Sequence, residues 1–116
     1  MLERVRLKNN GTWGLVVQEG ARATIRDSVV VGHAINLSAI FNAVLNVENT
    51  EATQGSTGIL SDSGAVARVS NAFVTSNDSS GLRNDGGTMV SWQNNKVRGN
   101  AFDYQGSGVL TNVSQQ

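Results

Sequence analysis

Val44-Leu45-Asn46-Val47-Glu48-Asn49-Thr50-Glu51-Ala52 is echoed further along the chain by Val66-Ala67-Arg68-Val69-Ser70-Asn71-Ala72-Phe73-Val74. Each copy holds two apolar residues separated by one polar residue. A short amide follows two positions later, and another apolar residue three positions after that. Alternation with period two marks a strand buried on one face. Recurrence at a fixed period of about 20–50 residues marks a solenoid, in which each unit buries its apolar face only against its neighbours.

Working outward, the apolar pair is read five times: Val5/Leu7, Ala23/Ile25, Leu45/Val47, Ala67/Val69 and Val90/Trp92. A polar column follows it, made of Asn9, Asp27, Asn49, Asn71 and Asn94. Beyond that lie Thr12, Val30, Ala52, Val74 and Val97, read as the next inward strand after a bend. A third column, Leu15, Ile35, Ile59 and Leu82, follows Gly14, Ala34, Gly58 and Gly81, and Val109 after Gly108 extends it. Three short strands per unit describe one circuit of a three-sided helix. The expected fold is therefore all-β, a right-handed parallel β-helix of about five rungs.

The polar column has a physical rationale. Parallel strands stack about 4.8 Å apart, so one position in every rung forms a column along the axis. A side-chain amide has both donor and acceptor and can pass hydrogen bonds from rung to rung. Asn and Asp also tolerate the left-handed backbone of a sharp bend. The column is expected to be an Asn ladder.

Composition agrees. Proline is absent, as suits a backbone whose N–H groups are wanted in ladders. Charged residues make up 16% of the chain, and nine basic residues balance nine acidic ones. That balance offers no footprint for nucleic acid or an anionic membrane surface. Cysteine is absent, which excludes disulfides and thiolate metal sites. No apolar run approaches a membrane span, and Met1-Leu2-Glu3-Arg4-Val5-Arg6 lacks a signal-peptide pattern. These features leave the compartment open between a cytosolic protein and a piece of an extracellular one.

The units Gly58-Ile59-Leu60-Ser61-Asp62-Ser63-Gly64 with Ala67-Arg68-Val69-Ser70-Asn71, and Gly81-Leu82-Arg83-Asn84-Asp85-Gly86-Gly87 with Trp92-Gln93-Asn94-Asn95-Lys96-Val97-Arg98-Gly99-Asn100, resemble the repeats of bacterial right-handed parallel β-helix proteins, the pectate-lyase-like superfamily. The resemblance covers residues 1 to 113. It implies the fold, and it implies polysaccharide lyases, glycoside hydrolases, tailspikes and adhesins as the range of functions. The long loops that build a sugar cleft in the superfamily's enzymes have no counterpart in this chain.

The whole chain reads as one domain, residues 1–116. Its first rung is expected to lack its first strand, leaving Val5 and Leu7 at an open mouth. Residues 101–116, with Phe102, Tyr104, Val109, Leu110 and Val113, are expected to cap the last rung. A homo-oligomer formed through the uncapped N-terminal end follows, because open solenoid ends expose apolar core and strand edges.

Asp62 and Asp85 occupy equivalent positions, in a column completed by Gln18 and Ser38. Stacked carboxylates about 5 Å apart suit a retaining glycosidase, and Arg83 would orient a uronate carboxylate. The alternative reading is that Asp-Ser-Gly and Asp-Gly-Gly are turns in which Asp caps its own backbone. His33, the only histidine, reads as a surface turn residue without partners for a metal. Trp92 reads as core, and Trp13 and Tyr104 are the candidates for a carbohydrate platform. No cofactor is expected. The sequence favours a non-enzymatic module with a structural or binding role, and the alternative is a carbohydrate-active enzyme using Asp62 and Asp85.

Overall fold

The computed structural model describes residues 1–9, 11–92 and 94–113. Among them there are sixteen strands and no helix. The chain winds through three parallel sheets in turn. The first contains β1 (Leu2–Glu3), β4 (Arg22–Arg26), β7 (Val44–Glu48), β10 (Val66–Ser70), β13 (Thr88–Trp92) and β16 (Val109–Val113), stacked in that order. The second contains β2 (Arg6–Lys8), β5 (Val29–Val31), β8 (Glu51–Thr53), β11 (Phe73–Thr75) and β14 (Lys96–Arg98). The third contains β3 (Trp13–Gln18), β6 (Ile35–Ile40), β9 (Thr57–Asp62), β12 (Ser80–Asp85) and β15 (Phe102–Gln105). Five rungs and one further strand make a parallel β-solenoid about as tall as it is wide, 29 × 28 × 27 Å.

The register corrects the inward columns at their ends. In the first sheet Leu2, Ile25, Val47, Val69 and Ser91 stack, as do Ala23, Leu45, Ala67 and Met89. The first rung thus has its first strand, the two-residue β1, and Val5/Leu7 do not belong to this column. In the fifth rung Met89 and Ser91 point inward, not Val90 and Trp92. Leu7 instead begins the second sheet's column, in the place expected for Thr12, and Val30, Ala52, Val74 and Val97 follow it. In the third sheet the column is Leu15, Leu37, Ile59, Leu82 and Tyr104. Leu37 replaces Ile35, and Tyr104 replaces Val109, which pairs with Thr88 in the first sheet.

These columns are the core. Ile25, Val30, Leu37, Leu45, Val47, Ile59, Ala67, Val69, Val74 and Met89 are fully buried. Half-buried Leu2, Val5, Leu7 and Leu15 extend it towards one end, and Val97, Tyr104 and Leu110 towards the other. Within the C-terminal segment, β15 stacks on β12 and β16 on β13, so the solenoid continues there as two more strands. Residues 114–116 of the expected cap lie outside the described residues.

Most corners of the rungs turn on left-handed backbone. At the first corner Arg4, Asp27, Asn49 and Asn71 have φ of 54, 53, 45 and 49°. At the second, Asn9, Gly32, Gln54, Ser76 and Gly99 take the same role, and at the third Glu19-Gly20, Phe41-Asn42 and Ser63-Gly64 are left-handed pairs. A left-handed residue costs roughly 1–2 kcal/mol for most side chains. Asn, Asp and Gly at many of these positions lower that cost.

Candidate functional site

The Asn ladder stands at the first corner. The Asn49 side-chain amide donates to Asp27 Oδ1 (2.7 Å), the Asn71 amide donates to Asn49 Oδ1 (3.3 Å), and Asn94 Oδ1 accepts from the Asn71 backbone N–H (2.9 Å). Asn9 is not a member. Arg4 holds the corresponding place in the first rung, its N–H donating to Arg26 O, while Asn9 lies at the second corner. The ladder's amides are exposed or half-buried, so they fasten the corner without closing a site.

A second polar column, which the sequence pattern does not announce, runs inside the second corner. His33, Gly55, Asn77 and Asn100 follow the stacked residues Val31, Thr53, Thr75 and Arg98 by two positions. Gly55 has no side chain, and the amide of Asn36 projects into the space it leaves: a Cβ at Gly55 would lie 2.9 Å from Asn36 Nδ2. Asn36 Nδ2 donates to Thr53 O (3.0 Å) and Asn77 Oδ1 (3.3 Å), and Asn77 Nδ2 donates to Asn100 Oδ1 (2.9 Å). Asn77 Oδ1 also accepts from Gly55 N–H (3.1 Å). Buried amides linked in this way satisfy one another and the corner's backbone.

His33 belongs to this column and is buried, not on the surface. Its backbone N–H donates to Asn36 Oδ1 (3.2 Å), and its Nδ1 lies 3.0 Å from the same oxygen. Asn36 Nδ2 has its own acceptors, which fixes the amide's orientation and leaves Oδ1 as an acceptor. Nδ1 therefore carries the proton, by hydrogen-bond logic. Nε2 is buried without a partner among the described residues. No group of three His, Cys, Asp or Glu that could hold a metal occurs among the described residues.

Asp62 and Asp85 are register partners in β9 and β12, where the chain leaves the third sheet. Both are half-buried. The rest of their column differs from expectation. Gln18 pairs with Ile40, and Ser38 lies two positions earlier, paired with Val16 and Leu60. Arg83 Nε donates to Asp85 Oδ2 at 2.7 Å, and Ser63 Oγ donates to Asp62 Oδ1 at 3.1 Å. The arginine expected to meet a substrate carboxylate is thus engaged by Asp85, and Asp62 is held by its own turn. Neither carboxylate lines any of the main cavities.

Those cavities lie elsewhere. One of about 300 Å³ opens between the sheets at the C-terminal end, lined by Ser91, Trp92, Asn95, Val97, Tyr104 and Leu110 among others. A second of about 290 Å³ lies on the outer face of the first sheet, against Asn46, Glu48, Arg68, Ser70 and Trp92. A third of about 320 Å³ lies on the outer face of the second sheet, against Arg6, Lys8, Glu51, Thr53 and Gln54. Trp92 is half-buried and faces outward rather than into the core. Trp13 is 39% exposed, whereas Tyr104 is half-buried in the third sheet's inward column with its hydroxyl donating to Gly108 O (2.7 Å). No family model, curated protein or solved structure matches this chain.

Proposed function

We propose that this chain is a non-enzymatic β-helix module of the pectate-lyase-like kind, structural or adhesive in role, that joins a second copy through the end formed by β1, β2 and β3. The near-constant stacking interval, the three-sheet circuit and the stacked Asn residues support the family reading. The observation that carries the function is the state of that end. Among the described residues the strands at both ends, β1, β2 and β3 and β14, β15 and β16, have a strand neighbour on one side only, and at the first of these ends four apolar residues, Leu2, Val5, Leu7 and Leu15, lie half-buried above the core. Unpaired backbone groups and an apolar floor together make a surface that another strand layer would complete. A scaffold role needs no cleft, which fits the turn-bound Asp62 and the ion-paired Asp85.

Sedimentation velocity over a concentration series tests this. The expected result is a dimer or larger species at high micromolar concentration, shifted towards monomer by Leu7→Lys with cooperative melting retained. A monomer throughout would overturn the proposal.

A further inference from the structure

We infer that the outer face of the second sheet docks an amphipathic helix of a protein partner, laid along the solenoid axis. Four of the chain's nine basic residues, Arg6, Lys8, Lys96 and Arg98, lie on β2 and β14, the first and last strands of this sheet. All four are exposed. None has a side-chain hydrogen bond or ion pair among the described residues. Arg4, Arg26 and Arg83, in contrast, each face a carboxylate. A chain with no net charge thus gathers unneutralised cations on one face.

The arrangement is patterned, not uniform. Read along the axis, the outward positions are Arg6/Lys8, Val29/Val31, Glu51/Thr53, Phe73/Thr75 and Lys96/Arg98. That is base, apolar, acid, apolar, base. Phe73 is 40% exposed, more than most apolar residues of the chain. At about 4.8 Å per rung the two basic pairs stand about 19 Å apart. An α-helix along the same line offers one residue per turn at intervals of about 5.4 Å, close to the rung spacing. The mismatch accumulates to about 2.4 Å over four turns, within the reach of flexible Lys and Arg side chains. The complementary helix is about 15 residues long and carries acid, apolar, base, apolar and acid residues on successive turns.

Glu51 decides the class of partner. A uniform polyanion, whether glycan, nucleic acid or anionic lipid surface, would meet a carboxylate at the centre of its site and two apolar rungs that offer it no cation. A protein helix can place a lysine there. The surface shares β2 with the end proposed above for self-association but runs along the side of the solenoid, where these side chains point away from the axis.

The test uses a fluorescent synthetic helix of that pattern and the full chain, read by anisotropy. Binding is expected at low salt and is expected to weaken as salt is raised. Arg6→Glu with Arg98→Glu should reduce affinity at least tenfold. Glu51→Lys should weaken this helix and strengthen a second helix whose central lysine is replaced by glutamate. Thermal melting of each variant checks that the fold persists. The inference is overturned if the helix does not bind, if Glu51→Lys fails to exchange the two preferences, or if heparin or phosphatidylserine vesicles bind the unaltered chain as tightly as the helix does.

Discussion

Replacing Asn77 tests the buried polar column. Its Oδ1 accepts from Gly55 N–H and from Asn36 Nδ2, and its Nδ2 faces Ala52 O, Thr75 O and Asn100 Oδ1. The residue is 2% exposed, so water does not replace these partners. Asn77→Ala strands two donors, each at about 1–3 kcal/mol, and removes the donor that three oxygens share. The expected loss is about 3–5 kcal/mol, a third or more of the stability of an ordinary domain. At roughly 4 °C per kcal/mol the midpoint of thermal unfolding should fall by about 10–20 °C. Asn77→Asp should be at least as costly, because a carboxylate oxygen would then face those three oxygens. Asn71→Gly is the control. It keeps the left-handed backbone at φ 49° and removes amide contacts from an exposed corner, so about 1 kcal/mol is expected. Chemical denaturation monitored by circular dichroism measures all three. If Asn77→Ala costs no more than Asn71→Gly, the claim that burial makes the inner column the stronger one is wrong.

Four further substitutions probe packing and the acidic pair. Leu37→Ala, at a fully buried core position, should cost about 2–5 kcal/mol in denaturant unfolding, whereas Ile35→Ala, half-buried beside Thr57, should cost clearly less. Gly55→Ala would drive a methyl into His33 O and to within 2.9 Å of Asn36 Nδ2; loss of the cooperative melting transition, or a large drop in its midpoint, is expected. Asp85→Asn breaks a partly exposed ion pair with Arg83, worth about 0–1 kcal/mol, and a midpoint shift that shrinks at high salt should follow.

The middle rungs are legible in the sequence because their step is constant. Ile25, Val47 and Val69, or Val30, Ala52 and Val74, recur at one unchanging interval with apolar identity preserved. Errors arise where apolar identity is followed at the expense of the step. A constant interval after Val69 falls on Ser91, which is polar, whereas apolar identity leads to Trp92. Ser91 is tolerated inside because Asn95 Nδ2 donates to its Oγ at 2.8 Å. The shortened intervals from Leu7 to Ile25 and from Leu15 to Ile35 mark two misplacements. Leu2 before Ile25, and Leu37 after Leu15, restore the regular step.

The inner column is hidden for a different reason. An Asn repeated once per rung looks the same whether its amide faces solvent, as in Asn71, or the core, as in Asn77. What distinguishes them lies in other columns: Gly55 vacates the space for Asn36, and Gly58 leaves room beside Asn77 Nδ2, which a Cβ there would approach to 3.0 Å. A lone histidine shows no partner in the sequence, so His33 reads as exposed; its partner Asn36 stands beside Ile35, whose apolar character draws the column to the wrong residue. The equivalence of Asp62 and Asp85 is legible. The engagement of Arg83 by Asp85 is not, because residues two apart on one strand face the same side and compete for any ligand lying over them.

An engineered cross-link reads out the stacking register of the rungs. The chain has no cysteine, so an introduced pair reports without interference. Asn46 and Arg68 are register partners on adjacent strands with outward side chains, at the separation of about 5 Å that a disulfide spans. Asn46→Cys with Arg68→Cys should oxidise quantitatively within the monomer. Asn46→Cys with Val90→Cys, two rungs and about 10 Å apart, should not. Ready closure of the second pair with failure of the first would contradict a parallel solenoid in this register.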